Sequence, residues 1–206
     1  LGVKLHHLQI KFVHASIRAA FKENIGKELM GVADENIQSR LIGAFLYARA
    51  NQENSMVLNT SNKSEIAVGY STQYGDSVGA LSVLGDLYKN EVYQLSDYIN
   101  KSFGELIPEG ILNRAPTAEL RENQKDSDSL PPYPILDSIL EGILSYQYSV
   151  TGLVGQGHQI EHVRKVFSLY QKSEYKRYQF CPIIKVKTKS FGFGYRTPIS
   201  KAPTKL

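Results

Sequence analysis

Cysteine occurs once in this chain, at Cys181, and tryptophan not at all. A single thiol excludes a disulfide framework and suits a reducing compartment, so packing and hydrogen bonds must hold the fold. Nothing beside Cys181 resembles the surroundings of a nucleophile, and an inert packed thiol is the expectation. No apolar run is long enough to cross a bilayer; 206 residues with 42% hydrophobic content describe a soluble chain with one good core. Leu1-Gly2-Val3-Lys4 has neither a methionine nor the basic and apolar blocks of a secretion signal, and reads as a cut from something longer. Acid is missing from the other end. From Lys176 to Leu206 there are eight Lys or Arg and no Asp or Glu, in a chain of net charge +4. Such an asymmetry invites a polyanion, either nucleotide phosphates or nucleic acid. The glycine fingerprint of dinucleotide-binding folds is absent too, since Gly155-Gln156-Gly157 lacks the third glycine and a preceding strand.

What is present centres on Ser55 to Asp76. Met56-Val57-Leu58 reads as a buried strand of a parallel sheet, followed by the polar run Asn59-Thr60-Ser61-Asn62-Lys63-Ser64-Glu65. The crevice beyond the C-terminal end of a strand is where ligands bind in open α/β sheets. Hydroxyls, a lysine and a carboxylate at the start of a helix suit a phosphate and its metal ion, because free N–H groups attract anions and a hard cation takes oxygen ligands. A capped helix start with a solvated turn accounts for the same residues.

Around this stretch, Leu8, Ile10 and Phe12 alternate like a strand, with His6 and His7 before it as exposed polar residues. Ile17, Phe21, Ile25 and Leu29 recur at helical spacing. A second helix is expected after Asp34 as N-cap, with an apolar stripe of Ile37, Leu41, Ala44, Phe45 and Ala48 and a polar face carrying Asn36 and Arg40. Leu81, Val83 and Leu84 form another apolar stretch. Asp86 is the expected cap of a helix with Val92, Leu95 and Ile99 facing the core, and Lys89 in its first turn opposes the helix dipole unless it faces an anion. Residues 104–133 carry four prolines and no periodicity, the mark of a binding loop or linker. Pro134 suits a helix start, and Ile160, Val163, Phe167 and Tyr170 mark one further amphipathic helix. Strand, helix, strand, helix is the order of an α/β domain with a parallel sheet.

The segments ENIQSRL (35–41), NTSNKSEIAVGYSTQYGD (59–76), GDLYK (85–89), PTAELRENQKDSDSLPPY (116–133) and EYKRYQFCP (174–182) together resemble the synthetase domain of NAD synthetases. The resemblance covers nearly the whole chain and is nearest to the glutamine-dependent branch. Ile42 stands where ammonia-dependent relatives carry a second arginine after Arg40, and the acid they have near Ala80 is absent.

The resemblance implies a Rossmann-like fold of the adenine nucleotide alpha hydrolase type, lacking its first strand and phosphate loop, since Ser-Gly-Gly-x-Asp-Ser occurs nowhere in the chain. It divides the chain into an α/β core over 1–103, a long active-site loop over 104–133, and a helical C-terminal part with a basic tail over 134–206. It implies ATP- and Mg2+-dependent adenylation of nicotinate adenine dinucleotide (deamido-NAD), then displacement of AMP by ammonia to give NAD, with this chain inactive alone. By resemblance Thr60, Lys89 and Thr117 contact ATP. Glu65 holds magnesium and substrate. Asn36, Tyr70, Asp76 and Lys176 line the dinucleotide site, with Glu65, Asp76 and Lys176 the catalytic set. A homodimer or larger assembly, an N-terminal amidotransferase domain supplying ammonia from glutamine, and a cytoplasmic location are implied likewise.

Two other readings compete. Lys189-Ser190-Phe191-Gly192-Phe193-Gly194-Tyr195 in the basic tail is similar to the aromatic strand of RNA-recognition modules, although no partner strand for it is visible. A non-catalytic nucleotide-binding relative would be expected to lose Thr60, Glu65 and Lys89 together, and all three are present.

Overall fold

The computed structural model describes residues 3–192 and 194–199; Leu1, Gly2, Phe193 and the last lysines of the basic tail, Lys201 and Lys205, lie outside the described residues. Two helices come first, α1 (Lys11–Ile25) and α2 (Val32–Gln52), then strand β1 (Leu58–Asn59), helix α3 (Lys63–Val68), strand β2 (Leu81–Ser82) and helix α4 (Lys89–Phe103). The short α5 (Glu109–Leu112) follows, then a single 3-10 turn (Asp126–Asp128), α6 (Tyr133–Leu144), α7 (Val150–Gly155), α8 (Ile160–Lys172) and α9 (Glu174–Tyr178). β1 and β2 run parallel, Leu58 opposite Leu81 and Asn59 opposite Ser82. Beyond β2 the returning C-terminal segment bridges Ser82 at Ile183, also in parallel.

The core is helical. Leu136, Ile139 and Leu140 of α6, and Val163 and Val166 of α8, are wholly buried against Ile66, Ala67 and Val68 of α3. Their three- and four-residue spacing puts them on one stripe of each helix. Burying each such aliphatic side chain contributes roughly 1.5–3 kcal/mol, which makes this contact the main support under α3. Pro134 occupies the first turn of α6, where its missing N–H costs nothing.

Several local expectations change. Residues 3–10 form no strand, and α1 begins at Lys11. The alternation of Leu8, Ile10 and Phe12 has no sheet edge to join, while the run with Ala15, Ala19 and Ala20 favours a helix. Gly31, not Asp34, precedes α2; Asp34 lies inside its first turn and accepts a 2.7 Å hydrogen bond from His14 Nε2. The residues that α2 buries are Ser39, Gly43 and Ala50, whereas Ala44 and Ala48 are exposed. A small-residue face is needed because a Cβ on Gly43 would stand 3.1 Å from the Tyr74 carbonyl oxygen and 3.2 Å from that of Gly75.

Asp86 caps no helix. It is buried two residues before the N-cap Tyr88, and its Oδ1 pairs with Lys63 Nζ at 2.7 Å. The N-terminus of α4 is held from outside instead: Lys89 N–H donates to Ser64 Oγ at 3.0 Å and Asn90 N–H to Asp137 Oδ2 at 2.9 Å. Phe191 is buried in the core beneath Arg177, so the aromatic segment of the tail does not offer that ring to a base.

Candidate functional site

β1 ends in Asn59, whose buried amide organises everything beyond it. Its Nδ2 donates to the carbonyls of Asp76 (2.9 Å) and Val78 (3.0 Å), while its Oδ1 accepts from Ser61 N–H (2.9 Å) and Ser82 Oγ (3.2 Å). The polar run after the strand is thereby tied to the turn that carries Asp76. Gly79 lies so close that a Cβ there would stand 2.9 Å from Asn59 N.

The start of α3 is a capping box: Asn62 Oδ1 accepts from Glu65 N–H (3.0 Å), and Glu65 Oε2 accepts from Asn62 N–H (3.1 Å). Lys63 N–H donates to the Leu87 carbonyl at 2.7 Å. These three N–H groups are satisfied within the protein, which is the capped helix start that the sequence allowed beside a phosphate-binding one. Positive charge comes from side chains. Lys89 Nζ sits 3.3 Å from Glu65 Oε1 and 5.4 Å from the centre of the Tyr133 ring. Lys63, from the same polar run, is buried and turned away from the site towards Asp86 and the carbonyl of Lys189.

Opposite stands Lys176, on α9. Its Nζ donates to the carbonyls of Gly69 (2.7 Å) and Ser71 (2.6 Å), leaving one of an ammonium's three donors for a ligand. Burial pushes its pKa down, and Asp76 pulls it back up. α9 is fastened by Arg177, which is buried, pairs with Glu174 at 2.8 Å and donates to the carbonyls of Ala67 and Tyr170. Asp76 Oδ1 accepts from Thr72 N–H (2.6 Å) and Ser39 Oγ (3.1 Å). Its carboxylate opens to the cavity but is walled by protein on its other sides, and this desolvation raises its pKa despite those bonds. Asn36 Oδ1 accepts from Thr72 Oγ1 at 2.7 Å, so α2 and the 72–76 turn form one wall.

Between these walls lies a cavity of about 750 Å3. Asn36, Thr60, Glu65, Tyr70, Asp76, Lys89, Thr117 and Lys176 all line it, so every position singled out in the sequence reaches one space. Ser39, Thr72, Arg121 and Asp126 line it too and were not singled out. Asp126 and Asp128 stand out in the sequence only as an acidic pair, and Ser39 only as a small residue four before Gly43. Arg121 reaches Glu35 Oε1 at 3.5 Å and Asp128 Oδ2 at 3.3 Å, joining the loop to α2. A smaller cavity of about 290 Å3 adjoins at Lys89 and Thr117, and one of about 150 Å3 at Lys176 reaches Cys181, whose thiol pKa burial pushes up. Cys181 is thus a half-buried thiol held protonated. Among the described residues no three His, Cys, Asp or Glu side chains converge to bind a metal by themselves, and no helix is long and apolar enough to cross a membrane.

Known proteins are similar to this chain in sequence and fold. A glutamine-dependent NAD(+) synthetase of Synechocystis sp. is 44% identical over 202 residues, 98% of this chain and 36% of that protein. One of Rhodobacter capsulatus is 40% identical over 207 residues, 97% of this chain and 38% of its own length. The chain therefore spans a little over a third of the curated relatives it matches. Among solved structures, NMN synthetase from Francisella tularensis is 28% identical with a TM-score of 0.67, covering 85% of this chain and 64% of its own. The structure of a glutamine-dependent NAD(+) synthetase from Cytophaga hutchinsonii has a TM-score of 0.76 at 21% identity over 98% of this chain and 35% of its own, and shows the same α/β fold. The NAD synthase family model matches residues 1–180, and this chain belongs to that family.

Proposed function

We propose that this chain forms the substrate-activating part of a glutamine-dependent NAD synthetase, which adenylates the nicotinate carboxylate of deamido-NAD with ATP and lets ammonia displace AMP. The observation that carries this reading is the convergence of eight residues from five separate segments on one cavity bearing two lysines, Lys89 beside Glu65 and Lys176 beside Gly69 and Ser71. Two separately held cations suit two anionic reactants. Lys89, with Thr60 and Thr117, would hold the triphosphate; Lys176, already desolvated, would offer its remaining donor to the dinucleotide beside Asn36, Tyr70 and Asp76. The carboxylate oxygen of deamido-NAD attacks the α-phosphorus of ATP and pyrophosphate leaves; ammonia then adds to the carbonyl carbon and AMP leaves with the acyl oxygen. The lysines need only offset charge that builds on phosphate oxygens, where fixed charges in a cavity are most effective.

Glu65 is the carboxylate that α3 itself brings to the cavity, and Mg2+ commonly takes one or two protein carboxylates and completes its shell with substrate phosphates and water. Glu65 Oε1, now facing Lys89, with the hydroxyls of Thr60 and Ser61 beside it, fits that donor set. Bound there, the metal would spread charge from the phosphate under attack. An amidotransferase domain elsewhere in the polypeptide, a homo-oligomer and a cytoplasmic location complete the proposal.

The test is product analysis with the purified full-length protein carrying this chain, given deamido-NAD, ATP, Mg2+ and glutamine or ammonium. NAD and AMP should appear one for one; ADP in place of AMP, or no NAD, refutes the reading. Nicotinate mononucleotide in place of deamido-NAD asks whether the mononucleotide chemistry of the Francisella relative is shared. Glu65→Ala and Lys176→Ala should each lower turnover by roughly 10²-fold or more, the scale for losing one transition-state contact. Unchanged rates would remove those two roles.

A further inference from the structure

Asp126, on the wall of the cavity, is bonded at every polar atom but one. Its N–H donates to the Pro116 carbonyl at 3.0 Å, its own carbonyl accepts from Ser129 N–H (3.0 Å) and Leu130 N–H (2.9 Å), and its Oδ2 accepts from Tyr133 OH at 2.7 Å. Its Oδ1 is buried, with no hydrogen-bond partner among the described residues. The phenol of Tyr70 leans on Asp126 through charge and a side-chain hydrogen bond that help to hold it protonated, but that bond falls outside ordinary geometry and leaves Oδ1 without a well-formed partner. The residue is only 5% exposed and forms part of the wall of the large cavity. Buried polar atoms are nearly always paired, and one left unpaired in a binding site points to a partner that arrives with the ligand.

The chemistry narrows that partner. A carboxylate only accepts, so phosphates and a nicotinate carboxylate are repelled here. A metal ion held here would need several further ligands, and among the described residues no three His, Cys, Asp or Glu side chains converge, while the phenols of Tyr70 and Tyr133 stay protonated. What remains is a neutral donor. The bond from Asp126 N–H to the Pro116 carbonyl ties its backbone to the segment that carries Thr117, and both residues line the cavity. An acidic side chain that receives a ribose hydroxyl is a recurrent device of nucleotide-binding folds.

We infer that Asp126 is a ribose-recognition residue, whose free carboxylate oxygen accepts a hydrogen bond from a sugar hydroxyl of a nucleotide bound in this cavity. The inference rests on the synthetase reading and deepens it. Tyr133 then acts as a positioning residue, fixing the carboxylate through its other oxygen.

The experiment compares ATP with 2′-deoxy-ATP and 3′-deoxy-ATP, and deamido-NAD with its ribose-deoxy forms, in the full-length protein and in Asp126→Asn. One deoxy analogue should raise KM by roughly 10- to 100-fold in the parent protein, the range for a hydrogen bond to a charged group, and which analogue does so assigns the hydroxyl to ATP or to the dinucleotide. Asp126→Asn should bind the parent nucleotide more weakly and discriminate against that analogue by under about threefold. If every deoxy analogue stays within about twofold of its parent while NAD still forms, the ribose assignment is wrong and the synthetase reading stands. A loss seen instead with inosine triphosphate would move the contact to the adenine amine and overturn it likewise. Absence of NAD from the parent substrates removes both. If Asp126→Asn does not fold, Tyr133→Phe, which releases the other carboxylate oxygen, should narrow the same discrimination, and a discrimination unchanged in that variant would overturn the assignment to Asp126.

Discussion

Replacing Lys63 with methionine removes the cation from a pair that has almost no contact with water. Lys63 Nζ lies 2.7 Å from Asp86 Oδ1, the two side chains being 2% and 0% exposed. Burial pushes the lysine pKa down, and the bond to Asp86 pushes it back up. Asp86 Oδ2 also accepts from Val186 N–H (2.9 Å) and Lys187 N–H (2.8 Å), so the carboxylate is the knot between α3 and the C-terminal segment. Lys63→Met leaves that charge with only its two backbone donors. Breaking a buried pair from one side typically costs about 3–5 kcal/mol. The ammonium's contacts with the rings of Tyr88 (5.4 Å) and Tyr195 (5.8 Å) are lost as well. Native-state hydrogen exchange reads this where it happens: amides of α3 and of residues 186–187 should lose protection by roughly 10²-fold or more, the equivalent of about 3 kcal/mol. Adding Asp86→Asn removes the stranded charge and should recover part of the loss. A change under about tenfold in the single variant, or a double variant worse than the single, would refute the argument that the pair is held together against desolvation.

Three further outcomes follow from neighbouring features. Burial holds the Asp137 carboxyl above its ordinary 3.8 despite the bonds from Ser64 Oγ and Asn90 N–H. With the folded value raised, its stabilising share is complete below 3.8 and is lost as pH rises through the folded value. Stability of the parent relative to Asp137→Asn should therefore decline with rising pH across the acid range, and urea unfolding at a series of pH values that gives a flat difference would contradict this. Gly79→Ala puts a Cβ 2.7 Å from Asn59 Cβ, and differential scanning calorimetry should show a loss of about 1–3 kcal/mol; an unchanged melting temperature would mean that the Asn59 hub yields easily. Arg177→Met should cost about 3–5 kcal/mol and, in the proposed reaction, raise the KM for the dinucleotide by loosening α9 under Lys176, whereas stability lost with KM unchanged would separate α9 from the site.

The residues that share the cavity were legible as five short segments in a fixed order, and the capped helix start read after Asn59 is the capping box of Asn62 and Glu65. The apolar stripes of α6 and α8 were readable for a similar reason: both are buried on one side and follow helical periodicity. What escaped depends on distant partners. Asp86 has the look of a cap, yet its partner is Lys63, 23 residues away. The α4 N-terminus borrows its cap from Asp137 on another helix, which no local pattern announces. On α2 the apolar positions misled, because the face that meets the 72–78 turn must be small enough to lie on bare backbone. Asp126 sat in plain view, but an unpaired oxygen is a property of three dimensions.

The C-terminal segment that bridges β2 gives the molecule a direction in time. Lys63 meets the carbonyl of a residue 126 positions later, and Lys176 meets one 107 positions earlier. Chains emerge from the ribosome N-terminus first, and contacts this far apart in sequence form late. The helices α3 and α4 can therefore be made, and even pack on α6, while Lys63 and Asp86 still wait for residues 186–189. A nascent chain stalled before that point would hold a half-built pocket with a lysine and an aspartate still open to water. Only the arrival of residues 186–189 would close that pair off from water behind the cavity wall.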